Sequence, residues 1–271
     1  MKINYVCFFL LLTISNAIAQ EFQGIATYKS HRKVDLKISS KNENSEMKKQ
    51  IQEQLRKQFQ QEYTLTFNKN ESIYKREEKL QTPQPAQSGF RIQIAQGSDI
   101  MYKNIKENRY TNKTEIFGKL FLIKDTLNNI EWQLVNETKN IGDYTCFKAV
   151  FNEEFTTQTL TEEGEIETVT KPRTTTLWYT PQIPINNGPA EYYGLPGLIL
   201  EVNDGDLTLV CTKIIINPEE RVSIEEPTKG KEVSQVEFEE IQDKKSKEMM
   251  EQYQSRKGNN DGNRVMIRIG G

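Results

Sequence analysis

The stretch Leu198-Ile-Leu-Glu-Val-Asn-Asp-Gly-Asp-Leu-Thr-Leu-Val-Cys-Thr-Lys-Ile-Ile-Ile216 decides the fold class. Two apolar, β-branched runs, Leu198–Val202 and Leu207–Ile216, face each other across Asn203-Asp204-Gly205-Asp206. Asp-Gly between such runs is a hairpin signal, because glycine takes positive φ without a Cβ clash. The oxygen-rich turn lacks the spaced loop and distal glutamate of an EF-hand, so it reads as a turn and not as a calcium site.

Outward from this hairpin the same pattern repeats. Strands are expected at Phe22–Ser30, Val34–Ile38, Tyr63–Phe67, Ser72–Arg76, Ile100–Asn104, Arg109–Lys113, Lys119–Ile123, Glu131–Val135, Tyr144–Phe151 and Thr174–Tyr179. Residues 156–173 read as a protruding hairpin or loop, and 79–97, rich in Pro and Gln, as a surface loop. The period changes twice. Met47, Ile51, Leu55 and Phe59 fall four apart and predict a helix over 44–61. Ser234 with Glu237 is a capping box and Val233 with Phe238 a hydrophobic staple, so a second helix is expected from 234 to 255. Few helices, not alternating with strands, exclude βαβ architecture. The expectation is a mainly β chain: one antiparallel, strongly curved sheet or half-barrel, with a covering helix and a C-terminal helix.

Residues 1–19 carry Lys2, the apolar run Val6–Ile14 and the small-x-small site Ala17-Ile18-Ala19, the order of a secretory signal. Export to the periplasm or cell envelope of a Gram-negative bacterium follows, soluble after cleavage at Gln20, with no later apolar run long enough to span a bilayer. The expected organisation is signal peptide 1–19, a β-rich domain 20–257, and a flexible tail or edge strand 258–271. Cys7 leaves with the signal, and the remaining pair, Cys146 and Cys211, permits one disulfide.

Acidic and basic side chains nearly balance at a net charge of −2 and are interspersed, which excludes a nucleic-acid partner. His31 is the one histidine, and no G-x-S-x-G or H-E-x-x-H string occurs, so no catalytic residue, metal site or cofactor is assigned. Adjacent glutamates such as Glu153 and Glu154 are too common here to mark a site.

Upstream of the hairpin, residues 178–202 read WYTPQIPINNGPAEYYGLPGLILEV. The string Gly194-Leu195-Pro196-Gly197-Leu198-Ile199, with Trp178-Tyr179, Gly188-Pro189 and the shorter Tyr144-x-Cys146-x-Lys148-Ala149, resembles the GLPGLI family of exported bacterial proteins. That family has no assigned catalytic residues; its association with TonB-dependent outer-membrane receptors makes a receptor a candidate partner. Physically, Pro196-Gly197 fits the centre of a type II turn, which needs positive φ at the glycine. Trp178, Tyr179, Tyr192 and Tyr193 form the candidate binding flank. Three functions stay open: a non-enzymatic envelope protein that binds an apolar ligand or a protein partner, a carboxylate-based hydrolase, and a structural or adhesive surface module.

Overall fold

The computed structural model describes residues 22–33, 53, 60–77, 99–116, 118–160 and 166–256. The signal segment, the Val34–Ile38 strand, the Met47–Phe59 stripe, the 79–97 loop and the 258–271 tail lie outside the described residues.

Twelve strands follow in chain order: β1 (Gln23–Arg32), β2 (Glu62–Asn68), β3 (Glu71–Arg76), β4 (Ile100–Asn104), β5 (Arg109–Ile116), β6 (Lys119–Thr126), β7 (Gln133–Ile141), β8 (Tyr144–Leu160), β9 (Ile166–Thr180), β10 (Leu198–Asn203), β11 (Leu207–Ile216) and β12 (Lys231–Val233). One helix, α1 (Gln235–Arg256), ends the described chain. The strands form one open sheet in the order β12-β6-β5-β4-β3-β2-β1-β11-β10-β9-β8-β7. It does not close into a barrel. Every pairing is antiparallel except β12 with β6. That short parallel strand had no signal of its own in the sequence.

The expected hairpin is present. Asn203 Oδ1 accepts from the Gly205 N–H at 2.9 Å, Asp204 Oδ1 accepts from Asp206 and Leu207 at 3.1 and 2.6 Å, and Gly205 has φ +100°. The turn's oxygens are thus spent on its own backbone.

Strands β8 and β9 run longer than their neighbours. They pair from Phe147↔Tyr179 to Leu160↔Ile166, while β7 stops at Val150 and β10 at Thr176. Residues 151–160 and 166–175 therefore project as a two-stranded ribbon, the hairpin expected over 156–173. A two-stranded ribbon is marginal alone. This one is held by cross-strand contacts: Arg173 to Glu153 at 2.6 and 2.8 Å, Thr174 to Asn152 at 2.7 Å, and the Arg173 guanidinium 4.2 Å from the Phe155 ring centroid.

One sheet face is traced by the register rows Ala26–Leu65–Tyr74–Met101–Asn112–Ile123 and Gly24–Phe67–Ser72–Lys103–Tyr110. Tyr74 stacks on Tyr63 at 5.0 Å and meets Tyr28 edge-on at 6.3 Å. Packed on these side chains is the segment 181–197, whose Ile183 and Ile185 join Tyr28, Leu65, Phe67 and Tyr74 in one buried cluster. The expected cover was a helix; among the described residues the cover is this irregular segment. It is tied back to β10, where Leu198 N–H donates to Ile183 O and Ile199 N–H to Asn187 O, both at 3.0 Å. Strand β10 is buried on both sides: Leu198, Ile199, Leu200 and Val202 are at most 1% exposed.

At the opposite end of the sheet the capping box forms as expected. Ser234 N–H donates to Glu237 Oε2 at 2.8 Å and Glu237 N–H to Ser234 Oγ at 3.2 Å. Val233, Phe238, Phe121 and Ile123 share a small core, which docks the first turns of α1 on β6.

Candidate functional site

The segment 181–197 leaves the sheet at Thr180 and returns at Leu198, and three glycines set its path for three different reasons. Gly197 does not have the positive φ that a type II turn requires. A Cβ there would lie 2.2 Å from Thr180 O, so this glycine is needed for backbone-to-backbone approach. The left-handed residue of the motif is Gly194, at φ +97°, packed against the Trp132 indole. Gly188 sits where a Cβ would meet the Ile199 side chain at 2.8 Å. Leu195 is buried with Ile199, Leu177 and Tyr179.

Lys103, on β4, is fully buried beneath this segment. Its Nζ donates to Gly188 O at 2.9 Å, Ala190 O at 2.8 Å and Tyr192 O at 3.1 Å. Three protons meet three carbonyls, which only an ammonium can satisfy. Burial pushes this lysine down to about 7, and the carboxylate of Glu191 opposes the shift. The chain bends around the charge: Ala190 has φ +48°. Trp132 makes a second clamp, donating Nε1–H to Tyr193 O at 2.8 Å.

The four candidate aromatics do not form one patch. Trp178 and Tyr179 are neighbours on β9, so they point to opposite faces. Tyr179 is buried in the core. Trp178 lies half-buried on the other face, with Lys139 Nζ 4.4 Å from its ring centroid; that lysine is also paired with Glu201 at 2.7 Å. Tyr192 and Tyr193 do stand together, both half-buried at the surface of the segment. Tyr192 packs against the Leu195 cluster, and the Tyr193 hydroxyl donates to Asn128 O. Burial raises both phenols, so both are neutral at physiological pH.

Beside these tyrosines runs the projecting ribbon. Trp132 meets Phe151 edge-on at 5.8 Å, and Arg173 and Glu153 lie close enough to act electrostatically on Tyr192. The surface thus combines Tyr192, Tyr193, Trp132, Phe151 and the Arg173–Glu153 pair. Glu153 is held by that arginine, while Glu154, the next residue along the strand, points to the other face, so the two carboxylates do not converge. Lys103, Trp132 and Arg173 were not singled out in the sequence. Lys103 had no signal, since Tyr102, Lys103 and Asn104 are all buried and the strand shows no polar alternation. Trp132, an indole in the expected Glu131–Val135 strand, lies just before β7 and was the one available hint.

The cysteines sit in β8 and β11 with β9 and β10 between those strands. Both are free, buried thiols in the Tyr28 cluster, and the permitted disulfide is not formed. Burial pushes them up to about 11 for Cys146 and about 12 for Cys211. His31 is exposed at the end of β1. No group of three or more His, Cys, Asp or Glu positioned for a metal occurs among the described residues, and no described helix is long and apolar enough to cross a membrane.

No curated protein matches the chain. Two solved structures, both of PNGF-II, in C2 and P21 space groups, are 13% and 14% identical to it, with a TM-score of 0.48 in each case. They cover 81% and 82% of this chain and 32% and 33% of their own, so the chain spans about a third of their length. Residues 132–201 match a family model described as a protein of unknown function, Porph_ging. Over β7, β8, β9, the covering segment and the start of β10, though not β4 with its Lys103, the chain is therefore similar to that family.

Proposed function

We propose that the chain is an exported, non-enzymatic protein of the periplasm or cell envelope that binds an envelope protein partner through the Tyr192–Tyr193 surface. Export rests on the signal-like residues 1–19, and the finer family reading, GLPGLI, rests on Gly194–Ile199 in its context. That reading makes a TonB-dependent receptor the first partner to test.

One observation carries the binding reading: two half-buried tyrosines sit on a segment whose backbone is already fixed, by Lys103 on one side and Trp132 on the other. Aromatic side chains on a fixed backbone bind with little ordering cost. Ile183, Ile185 and Leu195 fill the face on which a carrier would seat an apolar ligand, which favours a protein partner.

The test places a photo-crosslinking amino acid at Tyr193 in cells, with exposed Lys75 as the control position. The expected result is one envelope protein crosslinked from 193 and none from 75. Equal products from both positions, or none from 193, would end this reading. N-terminal sequencing of the native protein tests export, with Gln20 expected first; recovery of Met1 would refute it.

A further inference from the structure

Strand β7 ends the sheet, and among the described residues nothing pairs with its outer edge. It is exposed along most of its length, and Leu134 (65%) and, on β8 beside it, Phe147 (40%) are exposed apolar side chains. Asn136 and Glu137 have no register partner in the β8 ladder either, because the register breaks between Val135 and Thr138. A bare edge of this length is a template for another strand.

Its sequence names the strand that fits. Val135-Asn136-Glu137-Thr138-Lys139-Asn140-Ile141 is a chemical palindrome about Thr138. Run antiparallel against itself, Val135 meets Ile141, Asn136 meets Asn140, Glu137 meets Lys139, and Thr138 meets itself. β-Branched pairs, amide pairs and opposite charges are each favourable cross-strand partners. The backbone parity agrees. Ile141 and Tyr144 close a two-residue turn on β8, which makes them a hydrogen-bonded pair and puts Lys139 in the next one. Thr138 and Asn140 then direct their N–H and C=O outward, as the axis residue of such a pairing must.

The charges on this edge continue the same arrangement. Glu137 pairs within the chain with Lys148 at 3.0 Å, and Lys139 with Glu201 at 2.7 Å. Across a two-fold axis at Thr138 these two pairs join into an alternating row, Lys148–Glu137–Lys139–Glu201, with the last two from the second copy. We propose that β7 is a self-association edge: two copies of this chain pair β7 to β7 antiparallel about Thr138, continuing the sheet through an isologous contact. It does not depend on the partner-binding surface above.

Site-directed cysteines read both the contact and its register. The native thiols are buried and poorly ionised at neutral pH, so they stay silent in mild oxidation. Thr138→Cys should give a covalent dimer. Asn136→Cys and Asn140→Cys should each stay uncrosslinked alone and crosslink when mixed, because each faces the other across the axis. Light scattering of the purified protein should show the mass doubling with concentration, and Thr138→Pro should stay one copy at every concentration while melting like the dilute parent. A single-copy mass at every concentration overturns the proposal. So does crosslinking of Asn136→Cys alone as efficiently as Thr138→Cys, which would mean a different register or random collision.

Discussion

Glycines were legible in the sequence as punctuation, but their jobs were not. Pro196-Gly197 looked like the centre of a type II turn, whereas Gly197 makes room for Thr180 O and Gly194 carries the positive φ. Close approach is a long-range fact, invisible to local turn rules. The two sites should respond differently to alanine. Gly194→Ala meets left-handed strain and a contact with Trp132, and should cost about 1–2 kcal/mol. Gly197→Ala must push two backbones apart and should cost more, about 3 kcal/mol or above, by urea melts. Equal costs, or a milder Gly197→Ala, would show that the Thr180 contact relaxes easily. The cysteines give a second test at this scale. Alkylation without reductant should label neither thiol in the folded protein and both in denaturant, read by intact mass; an unreactive pair in denaturant would mean a bridge.

Elements were read better than residues, wherever the signal was local. The capping box and staple of α1 needed only six consecutive positions, and both form. Strand β11 was bounded correctly by its β-branched run. Strand ends were missed where neighbours decide them: β8 and β9 were bounded at Phe151 and Thr174, yet they continue as a ribbon through the Thr- and Glu-rich stretch that reads equally as a protruding hairpin or a loop. Strand β10 was bounded well but is specified differently. Both its faces are covered, so apolar alternation carries no register there, and the turns and loop hydrogen bonds leading into it must set it. For α1, the dock described lies at its first turns, so the cap matters locally. Ser234→Ala should cost about 1 kcal/mol in helix stability. Amide hydrogen exchange over the first turns of α1 should speed up while the sheet's protection is unchanged. Faster exchange throughout the sheet would mean that helix and sheet unfold as one unit.

At the scale of the whole molecule, mainly β and antiparallel character were foreseeable, and strand order was not, because no local pattern says that β1 lies between β2 and β11. Nor could the sequence show that a lysine would be buried at the centre of the cover. That burial has a global consequence. The folded Lys103 is pushed down to about 7, against about 10.4 for an unfolded lysine. Between those values the unfolded chain holds a proton that the folded chain lacks, so stability rises with pH, by up to about 1.4 kcal/mol per unit. The thiols act with the opposite sign. Unfolded cysteine ionises near about 8.5, while the folded pair is pushed up to about 11 and about 12, so above about 8.5 the folded chain holds the extra protons and stability falls. Tyr28, Tyr74 and Tyr192, all raised by burial, steepen that fall above about 10. Two thiols outweigh one lysine, so stability should peak near about pH 8.5. Lys103→Met removes the rising limb and keeps the falling one. It should also lower stability at neutral pH by about 3 kcal/mol, since three carbonyls lose their donor. Urea melts at pH values spanning about 6.5 to 9.5 on both proteins measure this directly. Should the variant rise between neutral pH and the peak as steeply as the parent, Lys103 is not the titrating group, and the charge beneath the cover is held without loss across that whole range.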